Sequence, residues 1–164
     1  MMKKIKLIIW IAVLVLLESM GYARIFGAVP ALTFAFLVCV ALNDDDFYAA
    51  AVTGGICGML AGSLLGRSFS FIFIFYTISA AAVYTFRKKP RYTHAIFKAV
   101  FWCGLLTAVM ELALFALETG SISLFALYSI ALPSVLYNIA AALVIYPLIM
   151  RTVYNEEKQR KLIT

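Results

Sequence analysis

Charge is what this sequence has least of. Asp, Glu, Lys and Arg together make up 13% of its 164 residues, about half the share of a soluble domain. There is one histidine, His94, and there are three cysteines, Cys39, Cys57 and Cys103. The cysteines form no CxxC pair and match no zinc-site spacing, so each reads as a small apolar residue. HExxH and GxSxG are missing, and the serine of Gly62-Ser-Leu-Leu-Gly66 does not have the spacing of a nucleophile elbow. No Asp falls inside an apolar run. Intramembrane catalysis usually needs a paired base, a metal or two buried carboxylates. The residues therefore offer no catalytic set, no metal site and no cofactor site, and the chain does not read as an enzyme.

What is present is apolar. Hydrophobic residues make up 65% of the chain, and mean hydropathy is +0.99. A run of about 18 or more apolar residues can cross a hydrocarbon core of about 30 Å as a helix. A helix satisfies its own backbone hydrogen bonds in lipid. Six such spans are expected, at 7–23, 25–42, 47–65, 68–86, 95–117 and 133–150. They form one all-helical transmembrane domain over 1–150, followed by a polar cytoplasmic tail at 151–164. The first span follows Lys3, Lys4 and Lys6, as in a signal peptide, but with five spans behind it a retained helix is expected. Pro30 falls in the first turn of the second span, where a helix tolerates it. Arg87-Lys-Lys-Pro-Arg91 is the strongest internal break. Pro133 divides the long stretch 122–150 into a kinked or interfacial segment and a last helix, which also contains Pro147.

The formal charge of +6 does not point to nucleic acid, because the cations flank apolar runs instead of forming a stripe. Alternating spans put Lys3, Lys4, Lys6, Arg87, Lys88, Lys89, Arg91, Lys98, Arg151, Lys158, Arg160 and Lys161 on one side. Only Arg24 and Arg67 of the 14 cations fall on the other. The positive-inside rule then places both termini in the cytoplasm, with membrane lipid as a partner of the basic segments.

A few residues stand out. Gly54, Gly58, Gly62 and Gly66 recur every fourth residue and share one helix face. Small residues let helices approach closely in lipid, which suits packing within the bundle or against a partner's helix. Glu111 lies midway along the fifth span, where a carboxylate is costly and so a candidate for function. Glu18 lies near the outer end of the first span, within reach of the interface. Asn138 can hydrogen-bond between helices. Asp44, Asp45 and Asp46 precede the third span and are expected to cap it.

Three stretches resemble the rod shape-determining MreD family of bacteria. They are Arg24-Ile-Phe-Gly-Ala-Val-Pro30, the glycine-rich Gly54–Gly66, and Ile130-Ala-Leu-Pro133-Ser-Val-Leu-Tyr-Asn138 with Tyr146-Pro147. The likeness runs through nearly the whole chain in order and spacing. In one departure, Gly62 stands where the family commonly has an Asp. The resemblance implies a fold similar to the substrate-binding subunits of energy-coupling-factor transporters. It also implies a non-enzymatic scaffold of the cell-elongation machinery in the cytoplasmic membrane. The partner would be MreC and, through it, MreB, RodA and a class B penicillin-binding protein. The alternative is a small-molecule, vitamin-like binding subunit of a transporter, for which Glu18, Glu111, Tyr137 and Asn138 are the available polar groups.

Overall fold

A computed structural model describes residues 2–20, 31–65, 68–87, 92–120 and 127–154. Among these residues the chain is helical throughout its regular elements. The helices are α1 Met2–Ser19, α2 Leu32–Asn43, α3 Phe47–Leu65, α4 Phe69–Phe86, α5 Tyr92–Thr119 and α6 Leu132–Ile149. Short π-helical segments, Leu127–Ala131 and Met150–Tyr154, flank α6. The stretches Phe69–Phe86, Ala95–Thr119 and Tyr128–Tyr154 are long and apolar enough to cross a membrane. At about 1.5 Å per residue, the 12 described residues of α2 fall short of a crossing. The helix begins at Leu32, after the N-cap residue Ala31, and not at the expected 25; residues 21–30, Arg24 and Pro30 among them, lie outside the described residues.

Helix α2 is the centre of the bundle. Its sequence is apolar on every face, so no side of it favours the surface. Every residue from Thr33 to Leu42 is buried, and α1, α3, α4, α5 and α6 all pack on it. The outer helices keep apolar faces turned away from this core, such as Ile8, Leu16, Val52 and Phe101.

The closest pair is α3 on α4, because α3 presents glycine to its neighbour. A Cβ at Gly54 would lie 2.9 Å from Ala80 Cβ, and one at Gly62 would lie 3.2 Å from Phe69 Cα. The glycine stripe is thus occupied within the chain over Gly54, Gly58 and Gly62. Gly66 lies outside the described residues.

One end of the bundle gathers the starts of α1 and α3 and the ends of α2, α4 and α6. Lys3 Nζ lies 3.3 Å from Asp44 Oδ1 and 4.8 Å from the centre of the Tyr154 ring. The Tyr84 hydroxyl donates to the Asp45 carbonyl at 2.9 Å, and that of Tyr146 donates to Asn43 Oδ1 at 3.3 Å. Asp46 Oδ1 accepts the Tyr48 N–H at 2.9 Å and so caps α3. The acidic triplet therefore divides its work: Asp46 caps, while Asp44 fastens the start of α1.

The first and last described segments of the chain lie side by side at this end. Helical structure runs to Tyr154, four residues beyond the expected boundary at 150. The reason is packing: Val153 is buried and Tyr154 closes over Lys3. The remaining tail, 155–164, is outside the described residues. Pro133 sits in the first turn of α6 and Pro147 inside it. Proline removes an i→i−4 hydrogen bond, and the π-helical Met150–Tyr154 follows three residues after Pro147. Helix α5 stops at Gly120, whose φ of 71° is the left-handed conformation that glycine adopts cheaply after a helix.

A candidate polar site around the start of helix α2

The first turn of any helix has main-chain N–H groups without helical partners. In α2 this turn is buried, and Ala31, its N-cap residue, offers no side-chain cap. Two other helices supply the acceptors. Asn138 of α6 accepts the Ala31 N–H at its Oδ1, 2.8 Å away. Glu18 of α1 accepts the Thr33 N–H at 3.1 Å and the Thr33 hydroxyl at 2.8 Å, both on Oε2.

The cluster extends from these anchors. Asn138 Nδ2 donates to Thr107 Oγ1 of α5 at 3.0 Å, and Cys103 Sγ donates to the Asn138 carbonyl at 3.4 Å. Tyr76 of α4 is buried beside Thr33. Five helices thus meet through polar groups near the start of α2. All are buried: Glu18 is 5% exposed, and Thr33, Tyr76, Thr107 and Asn138 are 1% or less.

Of the residues singled out in the sequence, Glu18 and Asn138 come together here. Glu18 turns into the bundle, because the N–H groups at the start of α2 draw its carboxyl group. Glu111 is buried on α5, one turn beyond Thr107, and is engaged with its surroundings. Tyr137, one position from Asn138, is only half-buried. The side chain of His94 is outside the described residues. Three members of the cluster, Thr33, Tyr76 and Thr107, escape sequence reasoning. A weak signal exists for Thr33, the single hydroxyl residue in the apolar run Leu32–Asn43. Thr107 lies four residues before Glu111, on the same helix face.

This arrangement is well suited to fixing helices. It satisfies a buried helix start with side chains from two other helices, and unsatisfied groups in that position would each cost about 1–3 kcal/mol. One acceptor of the cluster is left over: Glu18 Oε1 is buried without a hydrogen-bond partner among the described residues. Among the described residues no group of three His, Cys, Asp or Glu side chains could hold a metal ion, and the three cysteines are free and buried.

Comparison with known proteins finds no matching family model, no matching curated protein and no matching solved structure.

Proposed function

We propose that this chain is a non-enzymatic membrane scaffold of the MreD type. In this reading it crosses the bacterial cytoplasmic membrane six times with both ends inside. It binds MreC and so links the MreB filament to lateral wall synthesis by RodA and a class B penicillin-binding protein. The observation that carries this reading is how the polar and apolar groups are distributed. The polar side chains described around α2 are used in joining helices, while α1, α3, α4 and α5 carry exposed apolar faces. A molecule built this way offers surfaces. The resemblance of the three sequence stretches supplies the identity of the partner.

The side-by-side placement of Lys3 and Tyr154 supports an even number of crossings, and the bias of the cations supports the cytoplasmic side. The glycine stripe is not part of the proposed partner surface, since its described glycines face α4. The lipid-facing sides of the outer helices take that role.

One observation favours the second reading, a small-molecule binder of the transporter type. Glu18 Oε1, which has no partner among the described residues, could receive a donor from a ligand held beside the start of α2. A tagged chain expressed in a rod-shaped bacterium separates the two. The scaffold reading expects MreC to co-purify in near-stoichiometric amount and depleted cells to become round. Retention of a small molecule, without MreC and without a change of shape on depletion, would favour the binder instead.

A further inference from the structure

Aromatic rings collect at the end of the bundle that holds the acidic triplet. They form two groups, joined by the end of α4. On one side Phe47 of α3 lies 5.4 Å from Tyr84 of α4 and 5.8 Å from Tyr48, ring centre to ring centre. The Arg87 guanidinium lies over the Tyr84 ring, 3.9 Å from its centre. On the other side Phe86 stacks on Trp102 of α5 at 6.0 Å, and Phe101 meets Trp102 edge-on at 5.9 Å. The band thus crosses three helices, and it faces outward: Tyr48, Phe86 and Phe101 are 77%, 67% and 63% exposed.

We infer that this band seats in the headgroup boundary of a membrane, and that the start of α5, residues 92–101, stands outside the hydrocarbon core. Helix length is the first argument. Helix α5 has 28 residues, against 19 in α3 and 18 in α4. Trp102, held against the last residue of α4, divides it. At about 1.5 Å per residue, residues 102–119 measure about 27 Å, much as α3 and α4 do, which is close to a hydrocarbon core of about 30 Å. The excess, about 15 Å by the same rise, lies wholly before Trp102. Chemistry is the second argument. Tyrosine and tryptophan favour the boundary between headgroups and acyl chains. On the inner side of the band the helices expose aliphatic side chains, such as Val52 and Ile56, Ile74 and Ile78, and Leu105 and Val109. On its outer side lie Arg87, Lys98 and the exposed Asp45 and Asp46.

The inference needs only that these helices cross a bilayer; in the six-crossing reading the boundary is the cytoplasmic one. It goes beyond the scaffold reading because it holds whichever protein binds the chain, and because it sets the depth at which a partner would meet α3, α4 and α5.

Depth-dependent fluorescence quenching tests it. The full chain is reconstituted in phosphatidylcholine bilayers brominated either near the glycerol end or near the methyl end of the acyl chains. The chain has two tryptophans, so Trp10→Phe leaves Trp102 as the reporter. Phe97→Trp and Val109→Trp, each made in the Trp10→Phe/Trp102→Phe chain, move the reporter outward by about 8 Å and inward by about 10 Å. Both positions are exposed and accept a larger ring. Bromine near the glycerol end is expected to quench Trp102 about twofold or more better than bromine near the methyl end. Position 109 should show the opposite preference, and position 97 should be quenched least by either lipid. Equal quenching of Trp102 by the two lipids, stronger quenching by the methyl-end bromine, or no quenching of Trp102 while position 109 is quenched would overturn the inference. Quenching at position 97 as strong as at position 109 would also overturn it. Position 109 separates the premises. Quenching there supports insertion whatever Trp102 shows, and no quenching at any of the three positions would remove the membrane crossing along with the band.

Discussion

Gly58→Leu is expected to separate α3 from α4 and to reduce the yield of folded protein to a small fraction of the starting level. A Cβ at position 58 would lie 2.9 Å from Phe73 Cα, 3.0 Å from Tyr76 Cβ and 3.1 Å from the Ile72 carbonyl oxygen. Two of these neighbours are main-chain atoms, so they cannot turn aside as a side-chain tip can. The whole of α4 would have to move, and with it Tyr76, whose ring packs 4.8 Å from that of Phe34 in the central helix. Overpacking usually costs about 1–3 kcal/mol, and more where the backbone blocks relaxation. About 3 kcal/mol or more is expected here, a large share of a typical total of about 5–15 kcal/mol. Gly55→Ala is the matched control. Its nearest neighbour is the ring edge of Phe73, at 3.3 Å, and the expected loss is below about 1 kcal/mol. Thermal unfolding in detergent, followed by near-ultraviolet circular dichroism, reads both. Equal midpoints for Gly58→Leu and the starting protein would contradict the packing described.

Asn138→Leu is expected to cost about 2 kcal/mol. Leucine is close to asparagine in size, so the loss is mainly polar. It removes the acceptor of the Ala31 N–H and the donor to Thr107. Hydrogen bonds between membrane helices average only about 0.6 kcal/mol, because the unfolded chain in lipid also finds partners. The Ala31 N–H is a different case: it is a main-chain donor at a buried helix start, and leaving it unmet falls in the range of about 1–3 kcal/mol. Thr107→Val removes the weaker half and should cost no more than about 0.6 kcal/mol. In a double-mutant cycle, Asn138→Leu should hide the effect of Thr107→Val, since the shared bond is already gone. Full additivity of the two losses would show that the pair does not interact, and an unaltered midpoint for Asn138→Leu would remove the cluster from the list of forces that hold α2.

The helices from α3 onward were legible in the sequence because each depends on local pattern, whereas α1 runs over Met2–Ser19 against the expected 7–23 and α2 starts at Leu32 against the expected 25. Helix α3 covers the expected 47–65, and α4 begins one residue after the expected start. Helix α5 runs from Tyr92, three residues earlier than expected, and on to Thr119, where Gly120 ends it. The polar residues of Met150–Tyr154 read as tail. They are structured because Tyr154 and Thr152 find partners on α1, which no local pattern encodes. The same limit applies to the candidate site. Glu18 and Asn138 are noticeable individually as polar groups in apolar runs. Their convergence on one helix start joins positions 15 and 107 residues apart. The cause is the bare first turn of α2 together with the burial of that helix on every face, and the second of these is visible in its sequence. The glycine stripe was equally legible as a close-packing face, but the choice between α4 and an outside helix depends on the arrangement of the bundle.

Everything proposed for the scaffold and its partner surfaces depends on which side of the membrane holds the end of the bundle where Lys3 meets Tyr154. Paired reporters fused after Thr164, one fluorescent only in the cytoplasm and the other an alkaline phosphatase active only outside it, measure this directly. Strong fluorescence with an inactive phosphatase is the expected result, and the same pair placed before Met1 should agree. An active phosphatase after Thr164 would put the basic end of the bundle on the wrong face and contradict the six-crossing architecture.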